Sequence, residues 1–189
     1  TDQVEEVRRL TDDYRFFHWH LEFPEVFGDP SGPDAGPDGW PGGFSCLLGN
    51  PPWEQIQVLG SEFFAAKAPE IAGARTQSIR DNLISGLVES DPALYEAYEV
   101  EKRRNDGVKH FVHASRRYPQ TSFGRLNTYS LFAELFRKLP DAGGLVGLIV
   151  PTGIATDSFN QYFFKDLVQS KSLKSLYDFE NATPIFDGV

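Results

Sequence analysis

The residues best suited to chemistry are consecutive: Asn50, Pro51, Pro52 and Trp53 follow the short apolar run 44–49. An Asn carboxamide supplies an acceptor oxygen and two donors. The prolines fix φ and present carbonyls without N–H groups, and the indole supplies a large flat face. This combination suits a planar ligand that carries an exocyclic amino group, such as adenine. It requires a free Asn50 carboxamide and a Trp53 ring that is not turned into the interior.

The chemistry expected at such a corner is transfer to the amino nitrogen. Two acceptors on the amino hydrogens would free the nitrogen lone pair to attack a methyl group on a sulfonium donor, without a metal or a covalent intermediate. A base in a duplex must first be flipped out, which costs a few kcal/mol. Stacking on Trp53 returns about 1–3 kcal/mol, so contacts with DNA elsewhere are needed as well.

Composition bounds the class of protein. The chain has 189 residues, of which 40% are hydrophobic, as expected for a packed globular domain. No run of about 18 apolar residues predicts a membrane span. The single cysteine, Cys46, excludes an internal disulfide, favours a cytoplasmic location and is predicted to be a small core residue. Because the chain contains no Met, we expect it to be a piece of a longer protein.

Charge is unevenly distributed. The net charge of −9 argues against a general nucleic-acid binder, but residues 102–125 hold seven Lys or Arg and one acid, a balance of +6 that leaves −15 elsewhere. A basic segment in an acidic chain suits contact with phosphates at one place. The predicted phosphate contacts are Lys102, Arg103, Arg104, Lys109, Arg116 and Arg117.

Hydrophobic periodicity predicts an α/β fold with a mostly parallel sheet. Buried strands are predicted at 44–49, where the continuous apolar run suits a sheet covered on both faces, and at 144–151. A further strand is predicted at 173–179, and residues 18–23 are predicted to be extended. Helices are predicted at 4–17, 54–67, over most of 70–118, at 127–139 and at 158–170. Since ligands bind at the carboxyl ends of parallel strands, loops 50–53, 151–157 and 179–189 are expected to converge.

Four stretches also carry a family resemblance, and together they cover most of the chain: FHWHLEFPEVF, GGFSCLLGNPPWE, NTYSLFAELFRKLPDAGGLVGLIVPTGIATDSFNQYFFKDL, and DFEN with IFDGV. In them the chain resembles the γ-type amino (N6-adenine) DNA methyltransferases, above all the single-chain restriction–modification and phage-defence enzymes. The resemblance implies a partial Rossmann-like methyltransferase domain over 1–189 with a mostly helical insertion at 54–126.

The resemblance also implies roles for individual residues. Asn50 and the Pro51 carbonyl would hold the target amino group, Trp53 would stack on the base, and Phe186 would stack from the other side. Asn127 and Phe132 would lie against S-adenosylmethionine. The family's Gly-rich donor loop, its target-recognition domain and any nuclease motif do not occur in this sequence. We therefore expect double-stranded DNA and the remainder of the parent chain as partners, and no activity from the chain alone.

Two alternatives remain open at this point. Protein methyltransferases that modify a glutamine amide use a similar N-P-P-aromatic loop, because an amide nitrogen poses the same chemical problem. A non-catalytic interaction piece that keeps the fold is the other alternative. The pairs His18–His20 and His110–His113 have spacings that can bind zinc, but no Cys or acidic partner completes a set, so no metal site is predicted.

Overall fold

A computed structural model describes residues 2–31 and 39–180 of the chain. The chain divides into two compact units. The first consists of Thr1–Gly49 and Phe136–Leu148, and the second of Asn50–Leu135 and Ile149–Val189.

The first unit is built on a two-stranded parallel sheet. Strand β1 (Phe44–Gly49) pairs with β2 (Pro140–Leu148), with Leu47 opposite Val146 and Gly49 opposite Leu148. This confirms the α/β class, the strand at 44–49 and the parallel pairing. The second strand begins and ends earlier than predicted. The helices of this unit are α1 (Asp2–Tyr14), α2 (Trp19–Glu22) and α3 (Pro24–Phe27).

Both strands are more exposed than a continuous apolar run predicts. Leu47 is the one buried residue of β1, while Leu48 is 78% exposed and Leu145 of β2 is 55% exposed. Cys46, predicted to be a core residue, is exposed as well. A strand is buried only where neighbouring strands or helices pack against it. Within the described residues the sheet has only these two strands. The prediction of strands covered on both faces is therefore wrong for the part of the chain that the structure describes.

The extended conformation predicted for 18–23 is also wrong, because aromatic packing favours a helical turn there. Helical spacing of four residues places Trp19 and Phe23 on one side. Both rings then reach Phe44 of β1, at centroid distances of 5.8 and 5.4 Å. Phe27 adds a further edge-to-face contact with Phe44 at 5.4 Å. An extended chain would send alternate side chains to opposite faces and lose this cluster.

The second unit is mainly helical. Its helices are α4 (Gly60–Phe63), α5 (Pro69–Ala72), α6 (Gln77–Ser90), α7 (Pro92–Ala114), α8 (Thr128–Phe136, whose last residue belongs to the first unit), α9 (Gly153–Thr156) and α10 (Gln161–Gln169), which follows a 3-10 turn at Ser158–Asn160. The helices predicted within 70–118, at 127–139 and at 158–170 are confirmed. Asp91 begins α7 as predicted: its carboxylate accepts from the Leu94 N–H at 3.0 Å, ahead of Pro92 at the first position.

Two hydrophobic clusters stabilise this unit. One surrounds Phe64 and Ile71 and includes Ala68, Ile84 and Leu87. The other joins Val112 of α7 to Leu126 and Leu131 at the start of α8, with Tyr118 packed against it. Burial raises the pKa of the Tyr118 hydroxyl, because the phenolate would be desolvated. The second cluster holds the segment that positions the candidate site.

Two predicted elements of the second unit do not form. The helix predicted at 54–67 is wrong except for α4, because Gln55 and Ile56 pair instead with Asn127 and Leu126. The strand predicted at 173–179 is also wrong: residues 173–180 have no regular secondary structure. A strand needs a neighbour for its main-chain hydrogen bonds, and the described residues offer none there.

No helix in the described parts of the chain combines the length and the apolar character that crossing a lipid bilayer would require.

Candidate functional site

The four residues Asn50–Trp53 form an irregular corner directly after β1. Asn50, Pro52 and Trp53 are exposed, whereas Pro51 is buried. Because Gly49 is opposite Leu148 in the sheet, the corner and the segment that begins at Ile149 start from paired positions. The sequence prediction placed these two loops at one edge for this reason.

Thr128, at the start of α8, fixes the corner. Its hydroxyl donates to the Pro52 carbonyl at 2.7 Å and accepts from the Glu54 N–H at 3.1 Å, and its own N–H donates to the Glu54 carbonyl at 2.9 Å. One step further along, the Ile56 N–H donates to the Leu126 carbonyl at 2.9 Å. The corner is therefore exposed and yet held by a short antiparallel ladder.

The three acceptors of the corner differ in their hydrogen bonding. The Pro52 carbonyl is occupied by Thr128. The Asn50 carboxamide and the Pro51 carbonyl have no hydrogen-bond partner among residues 2–31 and 39–180. Since neither proline has an N–H, the main chain at 51–52 presents acceptors only. The acceptors left without a partner are the pair to which the family resemblance assigns the target amino group.

Trp53 is anchored at one edge. Its indole N–H donates to the Ile149 carbonyl at 3.3 Å, and 43% of the residue remains exposed. The ring is therefore not buried in the interior, as the hypothesis requires. The same hydrogen bond connects the corner to the segment that leads into Pro151.

A buried polar network shapes the second loop. The Tyr129 hydroxyl lies 3.4 Å from Asp157 Oδ2, and the Asn160 amide donates to that hydroxyl at 3.3 Å and to the Gly153 carbonyl at 2.9 Å. Tyr129 and Asn160 are buried. A Cβ at Gly153 would lie 2.5 Å from Asp157 Oδ2 and 2.8 Å from the Tyr129 hydroxyl. The close approach explains the small residue in this turn.

In the described part of the chain, a side-chain hydrogen bond joins the second loop to the residues just before the third. The Thr152 hydroxyl donates to Asp178 Oδ1 at 2.8 Å. Phe179 is 87% exposed. Phe186, predicted to stack on the base, lies outside the described residues. The Trp53–Ile149 and Thr152–Asp178 bonds connect the first loop to a residue just before the second, and the second loop to a residue just before the third. The predicted convergence of all three loops stays a prediction, because residues 181–189 lie outside the described residues.

The two residues predicted to contact S-adenosylmethionine lie on the α8 side of the corner. Asn127 pairs through its main chain with Gln55, is half-buried, and its carboxamide has no hydrogen-bond partner in the described ranges. Phe132 is half-buried, one helical turn further on. A free amide at the corner fits a polar ligand group. Among the described residues no group of three or more His, Cys, Asp or Glu is arranged to hold a metal ion.

The predicted phosphate contacts do not share one face. At 100° per residue, Lys102 and Lys109 lie on the same side of α7, and Arg103 and Arg104 point elsewhere. Arg116 and Arg117 follow the end of that helix. Lys102 lies 3.6 Å from Glu99 and Lys109 lies 3.5 Å from Asp106, and such exposed pairs contribute little.

Sequence reasoning missed Thr128. A threonine at the start of a helix is most simply explained as an N-cap, and its partners Pro52 and Glu54 are 76 and 74 residues away. No local sequence pattern predicts hydrogen bonds between residues so far apart in the chain.

Comparison of the chain with protein-family models, with curated proteins and with solved structures finds no match.

Proposed function

We propose that the full-length protein transfers a methyl group from S-adenosylmethionine to N6 of an adenine flipped out of double-stranded DNA, and that this chain supplies the base-gripping part of a Rossmann-like methyltransferase. The observation that carries the proposal is the contrast among neighbouring acceptors. Within the described residues the Asn50 carboxamide and the Pro51 carbonyl have no hydrogen-bond partner, and the Pro52 carbonyl accepts from Thr128. An anchored corner with two free acceptors matches an amino group that has two hydrogens.

The corner's contribution to catalysis follows from these acceptors. The Asn50 side-chain oxygen accepts one amino hydrogen and the Pro51 carbonyl accepts the other. Both bonds strengthen as the nitrogen becomes positively charged, because hydrogen bonds from a charged donor are stronger than neutral ones. The corner thus favours the transition state over the ground state, which is what catalysis requires.

Trp53 positions the ring. Its indole N–H is held by the Ile149 carbonyl, so the ring is oriented before the base arrives. Stacking offsets part of the cost of flipping. S-adenosylmethionine supplies an electrophilic methyl group when bound, and the Asn127 amide and Phe132 are the residues of this chain that would contact it.

The test is Asn50→Ala in the full-length protein, with Asn82→Ala as the matched control because Asn82 is an exposed asparagine on α6. Transfer of labelled methyl groups to DNA should fall by about 10²–10³-fold, the cost of removing one preorganised hydrogen bond to the reacting group. DNA binding should be preserved in both variants.

Retained methylation in Asn50→Ala would overturn the proposal. Label on glutamine side chains of added protein, with none on DNA, would favour the protein methyltransferase alternative, in which the same corner acts on an amide nitrogen. No transfer by the wild-type full-length protein to either substrate would favour the interaction piece.

A further inference from the structure

A cleft of about 250 Å³ lies in the second unit, directly after the corner. Residues 55–57 form one wall, residues 124–126 form another, and Lys109 and His113 of α7 contribute the third. The Ile56–Leu126 hydrogen bond fixes the first two walls against each other. Gly124 has φ of +60°, and a Cβ there would overlap the ring of Phe159. The cleft is thus built from main chain that is itself held in place.

The cleft is basic. Lys109 and His113 are one helical turn apart on the same face of α7, and Arg125 approaches from the opposite wall. No carboxylate is among the residues that line the cleft in the described part of the chain. Asp106 lies 3.5 Å from the Lys109 ammonium, but both side chains are exposed, and such a pair contributes little. Lys109 therefore remains able to bind an anion.

A neighbouring cleft shows that this charge is specific to its position. A second cleft, of about 280 Å³, is lined by Glu62 and Glu101 together with Gln57 and apolar side chains. None of these lining residues is basic, and the Lys67 ammonium lies 4.1 Å from the ring centroid of one of them, Phe63. The two clefts share Gln57 as a boundary. An anion that follows residues 53–57 would be attracted at the first cleft and repelled at the second.

The distance from the corner determines what kind of anion fits. Gln55, on the cleft wall, is two residues from Trp53, so their Cα atoms are at most about 7 Å apart. A phosphate held in the cleft would therefore lie close to a base that stacks on Trp53. Since a flipped base stays attached to its own backbone, the nearest phosphates are those of the same strand.

We propose that Lys109, His113 and Arg125 bind a backbone phosphate of the target strand, one or two nucleotides from the flipped adenine. This inference rests on the proposed function and adds a contact that fixes the register of the strand at the corner. Arg125 and His113 were not among the phosphate contacts predicted from the sequence.

The experiment measures DNA binding by the full-length protein as a function of salt. The variant is Lys109→Gln/Arg125→Gln. The control is Arg75→Gln/Lys174→Gln, which removes one Arg and one Lys, both exposed, from the same unit. The slope of log K against log salt should become shallower by about 0.9 in the cleft variant, the contribution of one phosphate, and should not change in the control. Melting temperatures verify that both variants fold.

Uncharged linkages in the DNA backbone can identify the phosphate that binds in the cleft. Duplexes in which one methylphosphonate replaces a phosphate on either side of the target adenine should weaken binding of the wild type at one or two positions. At those positions the cleft variant should lose nothing further, because the two changes remove the same contact.

Three outcomes would overturn the inference: an unchanged salt slope in the cleft variant, equal losses at all linkages, or tight binding of inorganic phosphate that the cleft variant loses while its DNA binding stays normal. Each leaves the methylation result for Asn50→Ala untouched, so failure of the cleft is separable from failure of the proposed function. Absence of DNA binding by the wild-type protein would overturn both.

Discussion

Two exposed segments of the second unit invite comparison: the corner segment 50–56 and the tail segment 173–180. Both contain large exposed aromatic side chains, Trp53 in the first and Tyr177 and Phe179 in the second. The corner segment is held by the ladder to 126–128 and by the indole hydrogen bond to Ile149. The tail segment is held after Leu173 by one side-chain bond, from Thr152 to Asp178.

The difference teaches that exposure and rigidity are independent. Opening of a local segment costs little free energy where few buried contacts and hydrogen bonds must be broken. Under the proposed function the corner segment would orient a small amino group, and its hydrogen bonds supply a defined geometry for this. Within the described residues, the tail segment has no comparable set of hydrogen bonds.

The largest expected effect lies at Glu134, in the helix α8 that begins with Thr128. The Glu134 carboxylate is 2% exposed and accepts from the Thr121 N–H at 2.9 Å, the Thr121 hydroxyl at 2.7 Å and the Gln120 N–H at 3.2 Å. Glu134→Ala would leave buried donors unpaired, so we expect the free energy of unfolding to fall by about 3 kcal/mol.

Urea denaturation measures this loss. Glu134→Gln, which keeps one acceptor oxygen, is the matched variant and should lose less. A loss below about 1 kcal/mol in Glu134→Ala would mean that residues 120–121 do not support the ladder, and the contrast between the two segments would weaken.

An intermediate effect is expected at Thr128, whose hydroxyl holds the corner segment. Thr128→Val keeps the shape of the side chain and removes the hydroxyl that contacts Pro52 and Glu54, at a cost of about 1–2 kcal/mol. Hydrogen exchange measured by mass spectrometry should accelerate at the Glu54 and Ile56 amides, and methylation should decline.

Thr128→Ser, which retains the hydroxyl, is expected to behave like the wild type in both measurements. Exchange in Thr128→Val that is as slow as in the wild type would show that the main-chain bonds hold the corner segment without the side chain.

The smallest effect is expected in the tail segment. Thr152→Val removes the exposed bond to Asp178, which is worth at most about 0.5–1 kcal/mol. Faster hydrogen exchange should be confined to residues 174–180, and the corner segment should exchange as before. If instead exchange at residues 52–56 rose, the two segments would be coupled and the comparison would need revision.

Local patterns predicted much of this architecture. The apolar run 44–49 gave β1, Asp91-Pro92 marked the start of α7, and the spacing of Tyr129 and Leu135 predicted α8. The free Asn50 side chain and the accessible Trp53 ring also follow from the local sequence, because paired prolines end the strand and keep the segment out of a ladder interior.

The remaining features depend on partners distant in sequence. Thr128 and Pro52 are 76 residues apart, and the presence of a threonine does not indicate which distant carbonyl its hydroxyl will bind. The turn at 19–22 forms because Trp19 and Phe23 meet Phe44, which periodicity over six residues cannot reveal. The exposure of Cys46 and Leu48 is set by what lies beside the sheet, a property of neighbours and not of the strand's own residues.

The two prolines of the corner have a consequence for substrates that it must refuse. A base with a keto oxygen in place of the amino group would place that oxygen against the acceptor oxygens of Asn50 and Pro51, and their lone pairs would repel each other. Asn50 can accommodate such a ring by turning its amide to present N–H groups. The carbonyl of Pro51 has no such choice, and no main-chain N–H at 51 or 52 can substitute for it. Under the proposed function, the Pro51 carbonyl would therefore discriminate against the deaminated form of the target base.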